Sequence, residues 1–256
     1  MTTNVLVDLT GCVATLTLNR PDSYNAFDTG MRRELAGAIS RLNADPVIRI
    51  VILCGAGRGF SAGVDLKERT GTPSDELLEY EFRPCLEPIW NSGKIFIAAV
   101  HGHAAGIAAA FVLACDLVVM EEDANLTLAF AAIGLIPDGG LCWSLTQAIG
   151  PRRALAAILE SKSLDAQICL DAGLTNKIVP KGTVIEMARD WATELAAGAP
   201  MAANAAKALV AKSMTQTRNE VYSAEAVIQM HLAKTADHDR GVKAFLNRTK
   251  PHFQGD

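Results

Sequence analysis

The spacing of apolar residues changes along this chain, and the changes mark out its elements. Near the start, residues 5–9 (Val-Leu-Val-Asp-Leu) and Val13–Leu18 flank a Thr10-Gly11 turn, a pattern that predicts a β-hairpin. A polar stretch follows over residues 19–27. Behind Asp28, a good helix N-cap, Met31, Leu35, Ile39 and Leu42 recur at helical spacing until Asp45-Pro46 ends the run. Residues 48–53 form an unbroken apolar run, as expected of a buried strand. Residues 74–91 are helical in period but carry Pro84 and Pro88, so two segments or a mobile one are expected there. Residues 95–100 read as the next strand.

The stretch 99–140 is the most informative. An apolar run ends at Val100, small residues turn the chain over 101–106, a second apolar run reaches Cys115, and Ile136-Pro137-Asp138-Gly139-Gly140 closes the segment. This predicts strand, turn, buried helix and strand, ending in a loop with a single carboxylate. The first turn of a helix leaves N–H groups without partners and its dipole favours negative charge, so the start of this buried helix is a candidate oxyanion site. Farther on, residues 141–149, 151–160 and 164–172 read as helices and 176–179 as a short strand. From Thr183 the chain is helical almost throughout, over 184–197, 201–213, 218–235 and 237–247. Strands giving way to helices predict an α/β core over residues 1–199 and a C-terminal helical subdomain over 200–256. The tail is rich in Ala and apolar on more than one face, which suits packing on a partner subunit or burial within the same chain.

Composition narrows the functional classes. Half of the residues are hydrophobic, a fifth are charged and the formal net charge is −4, so nucleic acid is not expected as a partner. The longest apolar run, 107–115, is far short of the roughly 18 residues of a membrane span, and nothing near Met1 resembles a signal peptide. A cytoplasmic protein without a membrane partner is expected. Cys12, Cys54, Cys85, Cys115, Cys142 and Cys169 form no CxxC pair and lie mostly among apolar neighbours, the pattern of buried free thiols.

Residues 55–67 are rich in glycine and partly match several motifs. A dinucleotide fingerprint fails at Ala62, and no Gly-Lys-Ser/Thr follows for a phosphate loop. Gly59-Phe60-Ser61-Ala62-Gly63 does match GxSxG, which makes Ser61 a candidate nucleophile, although that elbow needs a sharp strand-to-helix turn and the strand ends near Cys54. The competing reading is that the glycines let the backbone approach a ligand, with the Val64 N–H aimed at an anionic oxygen. His101 and His103 raise the question of a metal, but no local carboxylate or third histidine completes a site.

Several of these segments together carry a resemblance. Asn19-Arg20-Pro21 with Asn25-Ala26, the run Gly59-Phe60-Ser61-Ala62-Gly63-Val64-Asp65-Leu66, Ala99-Val100 with Gly102 and Ala105-Gly106, Cys115-Asp116, Gly134-Leu135-Ile136-Pro137-Asp138-Gly139-Gly140 and Ala172-Gly173-Leu174 stand in the order found in the crotonase, or enoyl-CoA hydratase/isomerase, family. The closing Gly241-Val242-Lys243-Ala244-Phe245-Leu246 and Lys250-Pro251-His252-Phe253 also resemble it, so the likeness spans essentially the whole chain. It implies an α/β fold of the crotonase (ClpP-like) type, a spiral of ββα units with a C-terminal helical trimerisation subdomain, assembled as a homotrimer or a hexamer of two trimers. It implies an acyl-CoA thioester as ligand, with coenzyme A as part of the substrate, no separate cofactor and no metal. The thioester oxygen would be held by the N–H groups of Val64 and Ile107, with Gly106 allowing close approach. Ala62, Gly63, Asp65, Leu66 and Lys67 would follow the CoA moiety, Arg20 and Lys67 would meet its phosphates, and Tyr24 would be a further contact. His103 and Phe130 would line the acyl pocket, and His101 would make a structural hydrogen bond.

The departures from the family pattern bear on the reaction. By an ungapped count, Ala110 and Phe130 occupy the places of the two glutamates that hydratases of the family use to activate water, and neither can transfer a proton. Asp138 is the acid that remains. Family members with Leu-Ile-Pro-Asp-Gly here and Ala-Phe shortly before, as at Ala129-Phe130, resemble isomerases of the 2-(1,2-epoxy-1,2-dihydrophenyl)acetyl-CoA and enoyl-CoA type, which implies that Asp138 shuttles a proton. Apolar Leu135, Ile136 and Trp143 nearby would raise its pKa by desolvation. Two alternatives stay open. Asp138 can instead cap the helix that starts at Leu141. The scaffold can also serve as a hydratase, an acyl-CoA hydrolase or an acyl-CoA binder without turnover.

Overall fold

The computed structural model describes residues 3–68 and 71–256. Strands β1 (Val5–Thr10) and β2 (Val13–Leu18) form the antiparallel hairpin, with Gly11 at φ +59° in its turn. Helix α1 (Thr29–Ala44) starts where Asp28 Oδ1 accepts the Met31 N–H at 2.7 Å, and it buries Met31, Leu35, Ile39 and Leu42 as their spacing predicts. Strand β3 (Ile50–Gly55) is buried at all six positions. Helix α2 (Ser74–Leu77), a π turn over Leu78–Phe82 and helix α3 (Arg83–Trp90) then follow without a gap. The prolines do not split this run as expected. Pro84 comes just after the π turn, which absorbs the change of register, and Pro88 is carried inside α3.

Next come β4 (Ile95–Val100), β5 (His103–Ala105), α4 (Ile107–Ala114), β6 (Leu117–Glu121) and β7 (Asn125–Thr127). Helices α5 (Leu141–Ile149) and α6 (Pro151–Leu159) precede β8 (Ser163–Asp165), α7 (Ala166–Asp171), β9 (Lys177–Val179) and α8 (Val184–Ala196). Helices α9 (Pro200–Ser213), α10 (Arg218–Leu232) and α11 (Ala236–Asn247) complete the order. One sheet runs β1-β2-β3-β4-β6-β9, parallel from β2 onward, and a smaller one runs β5-β7-β8. The three-residue strands of the smaller sheet are too short to show a period in the sequence. Leu164, expected to open a helix, lies in β8, and α7 begins where Asp165 Oδ1 accepts the Ile168 N–H at 2.7 Å.

Strand alternation divides the core between the two faces of the large sheet. Ile50, Ile52, Ile97, Ala99 and Val119 pack on α8 through its small residues Ala188, Ala192 and Ala196. Val51, Leu53, Phe96, Ala98, Val100 and Met120 point the other way, into the larger cluster that includes α1, α3 and α4. Helix α4 is buried at seven positions, and its N-terminus is reached directly from β5 through Gly106. The residues of α9 and α10 are all at least partly exposed. Lys207 on α9 fastens that helix to the core, its Nζ reaching the carbonyls of Ile89 and Lys94 and Asp116 Oδ2. Met201, Val210, Tyr222, Val227 and Phe245 of the last helices are exposed. Of the thiols, Cys142 on α5 is exposed and Cys12 half-buried, contrary to the expectation that all are buried. Among the described residues, no helix is long and apolar enough to cross a membrane.

Candidate active site

The loop after β3 returns to the core through two isolated parallel bridges, one pairing Ser61 with Ala104 and the other Phe27 with Val64. In the second, the Phe27 N–H donates to Gly63 O at 2.8 Å and the Asp65 N–H donates to Phe27 O at 3.1 Å. The residues on either side of Val64 therefore make the bridge, and the Val64 N–H turns away from it. Ile107 is the first residue of α4, so no helical carbonyl precedes it to accept its N–H. Among the described residues neither N–H has an acceptor. Gly63, at φ +87°, brings them together: a Cβ on it would stand 2.5 Å from Ala105 O and 3.6 Å from Ile107 N, so only glycine lets the strand lie against the head of the helix. Gly106, at φ +57°, makes the turn into α4.

Val64 and Ile107 both line a cavity of about 740 Å³ whose walls are largely apolar, with Leu77, Phe82, Leu86, Trp90, Phe130 and Ile136 among them. Asp138 enters it from the loop before α5. Its Oδ1 is buried and has no hydrogen-bond partner, and burial pushes its pKa up to about 6. The cap alternative fails, because Gly140 holds the N-cap position of α5 and no side chain caps it. Asp138 contributes only its main-chain carbonyl, which accepts the Leu141 N–H at 3.0 Å. The loop lies close on α4, since a Cβ on Gly139 would meet the Ala110 Cβ at 2.8 Å and Ile107 Cγ1 at 3.3 Å. The other carboxylate of the lining, Glu79, is ion-paired with Arg83 at 2.9 Å. A pair of main-chain donors and a poorly solvated carboxylate around one apolar space can stabilise an enolate oxygen while moving a proton.

The remaining predicted residues divide into those that reach this cavity and those that do not. Ala62, Leu66, Gly106 and Phe130 line it. Arg20 is instead held by Asp28 at 3.0 Å, Asp65 at 3.1 Å and the Ala26 carbonyl, so Arg20 and Asp65 neutralise each other outside it. Tyr24 is exposed, with the Arg58 guanidinium 4.4 Å from its ring centroid, and Lys67 is exposed as well. His103 corrects the expectation of an acyl-pocket residue. It is exposed on β5, its Nδ1 is 2.8 Å from Asn125 Oδ1, and it does not line the cavity. His101 makes the structural bond expected of it, with Nε2 3.0 Å from Gly57 O.

Ser61 is not a nucleophile. Its Oγ donates to Asn25 O at 2.8 Å and accepts the Gly63 N–H at 3.1 Å, and the residue is 2 % exposed. Fully buried Asn25 is the organiser that sequence reasoning left as a family landmark, its Nδ2 serving the carbonyls of Ala56, Gly59 and Phe60. Among the described residues, no group of three His, Cys, Asp or Glu is placed to hold a metal.

Comparison with known proteins agrees with this architecture. The family described as enoyl-CoA hydratase/isomerase matches residues 8–256. The chain is 34 % identical over 249 residues to 1,2-epoxyphenylacetyl-CoA isomerase of Escherichia coli (strain K12), covering 95 % of each. It is 34 % identical over 245 residues to a probable enoyl-CoA hydratase of Rhodobacter capsulatus, again covering 95 % of each. The crystal structure of a putative enoyl-CoA hydratase/isomerase from Mycobacterium abscessus superposes with a TM-score of 0.94 at 30 % identity, over 98 % of this chain and all of that one. The fold is the crotonase spiral of ββα units, and the chain belongs to the enoyl-CoA hydratase/isomerase family.

Proposed function

We propose that this protein acts in the cytoplasm on an acyl-CoA thioester, holding its carbonyl oxygen between the N–H groups of Val64 and Ile107 and isomerising the acyl group with Asp138. The observation that carries the reading is the unpartnered, buried oxygen of Asp138 in the same apolar cavity as the two free donors. Asp138 removes a proton from the carbon activated by the thioester and returns it to another carbon, while the donors hold the negative charge on oxygen. An oxyanion donor of this kind supplies about 3–4 kcal/mol to a transition state. Coenzyme A is part of the substrate, so the reaction calls for no separate cofactor. Ala62 and Leu66 lie along the thioester arm, while Gly63, Asp65, Lys67, Arg20 and Tyr24 shape or flank the route by which the rest of CoA leaves the cavity. Residues 1–199 carry the chemistry, and the exposed apolar side chains of α9 to α11 fit subunit contacts of a homotrimer or hexamer.

Hydration is the second reading, supported by the relatives named hydratases. It would leave one aspartate to activate water, because Phe130 and the buried Ala110 behind Gly139 carry no titratable group and Glu79 of the lining is tied to Arg83. A panel of 2-enoyl, 3-enoyl and aromatic acyl-CoA thioesters, incubated in deuterated water and separately in 18-oxygen water, separates the two. Isomerisation gives a shifted acyl group without 18-oxygen, carrying deuterium only to the extent that the proton on Asp138 exchanges with solvent before its return, and D138N abolishes it. Incorporation of 18-oxygen overturns the isomerase reading in favour of a hydratase or hydrolase. Tight binding without turnover of any thioester overturns it in favour of a binder.

A further inference from the structure

Arg32 is a charged residue of α1 only 2 % exposed, and no step of the reaction uses it. Its Nε donates to Glu81 Oε2 at 2.6 Å, in the π turn. Its Nη2 donates to Thr29 Oγ1 at 2.9 Å and to Glu68 Oε2 at 3.3 Å, just beyond the Val64 segment. Its Nη1 donates to Phe27 O at 2.8 Å, the same carbonyl that accepts the Asp65 N–H beside Val64. The guanidinium also lies 5.4 Å from the ring centroid of Phe82, a wall of the cavity. Phe27 itself stacks on Phe111 of α4 at 4.8 Å and meets Phe82 edge-on at 5.9 Å. One planar fork thus touches the bridge that aims the Val64 N–H, the segment after it and the π turn that walls the acyl space.

We propose that Arg32 is a positioning residue for catalysis, setting the direction of the Val64 N–H and the place of the Phe82 wall relative to each other. The inference rests on the reading of Val64 as a donor to the thioester carbonyl. A purely structural ion pair would need one carboxylate. Here the guanidinium spends four hydrogen bonds on main chain and side chains that converge on one cavity, and a fork of fixed geometry transmits direction where a lysine would supply only charge. Misplacement of a donor by about 1 Å is enough to cost about a hundredfold in rate.

The test compares the wild type with R32M/E68Q/E81Q, which removes the fork without leaving two unpaired carboxylates. Bound acyl-CoA labelled with 13-carbon at the thioester carbonyl reports polarisation by the donors through its infrared stretch. In the wild type the stretch moves to lower frequency than in solution, and in the triple variant it returns toward the solution value. In the same variant kcat falls about ten- to a hundredfold, whereas KM changes less than about threefold. E81M, with Arg32 intact, unties only the π-turn arm, gives a smaller change in the same direction, and carries the test alone if the triple variant does not fold. A variant with the wild-type stretch and kcat overturns the role of Arg32 and leaves the proposed function standing. A wild-type stretch equal to that in solution overturns the Val64 reading and the positioning role with it.

Discussion

The two halves of the cavity are made of different materials. The donor half is main chain, set by a parallel bridge, a glycine at φ +87° and the head of a helix buried at seven positions. The acid half is one side chain on a loop whose residues 131–136 are all exposed. Main-chain donors survive substitution of the residues that carry them, because every non-proline residue has the same N–H. The acid survives only as Asp or Glu. A site built this way can keep its main-chain donors while the side chains that move protons change, and relatives at the same 34 % identity are named an isomerase and a probable hydratase.

Substitutions that attack one half at a time give the sharpest view of this contrast. The largest expected effect is that of D138A, a loss of about 10²–10⁴ in kcat with the Kd for a saturated acyl-CoA, measured by calorimetry, within about threefold of wild type. Equal losses in binding and turnover would show that the acid half is not separable. Gly63→Ala should break the donor half, lowering kcat about 10²–10³-fold, because the added Cβ would press on Ala105 O and turn the Val64 N–H. Unlike D138A it should also lower stability by about 2 kcal/mol or more in a denaturant titration, since it strains the backbone of the core.

The pH dependence separates the halves without mutation. In the proposed reaction Asp138 acts as a base only when ionised, so kcat/KM should fall about tenfold per pH unit below about 6 and level off above it, while saturated acyl-CoA binding stays flat. A limb near 4 would mean that burial does not tune this carboxylate. The smallest effect is on stability. The folded protein holds the Asp138 proton more tightly than the unfolded chain does, so the ionised group destabilises the fold above about 6, and this cost disappears as pH falls toward the ordinary carboxylate value of 3.8. D138N should therefore be more stable than wild type at pH 8 by about 1–2 kcal/mol, after allowance for partial solvent exposure, and indistinguishable from it at pH 4. Chemical denaturation at the two pH values checks this, and an equal gain at both would point to a cause other than charge.

The legibility of the sequence follows the same division. The donor half leaves traces in pattern: an apolar run, a small-residue turn and glycines that close packing explains mark a buried helix start, while Ile107, and its pairing with Val64 as donors, is named only through the family resemblance. Asp138 could be found as a lone acid between Pro137 and Gly139, but its choice between cap and acid depended on side-chain orientation, which no period encodes. Strands β5, β7 and β8, at three residues each, are held by tertiary pairing and have no pattern of their own. His103 misled because a family resemblance gives a position along the chain without saying which way its side chain leaves β5, where it meets Asn125 instead. Arg32 left no trace, since an arginine beside the apolar stripe of α1 looks like any solvated helix charge until Glu68 and Glu81 are brought to it from far along the chain.

The π turn at Leu78–Phe82 has an evolutionary consequence. A π turn is a helix holding one residue more than its neighbours need. Deleting any one residue within it would let the chain before and after join as ordinary helix with the facing of each kept, whereas the same loss inside α3 would turn what precedes it by about 100°. The wall of the cavity can thus lose one side chain in one genetic step, by loss of a single codon, with Val64, Ile107 and Asp138 left where they are.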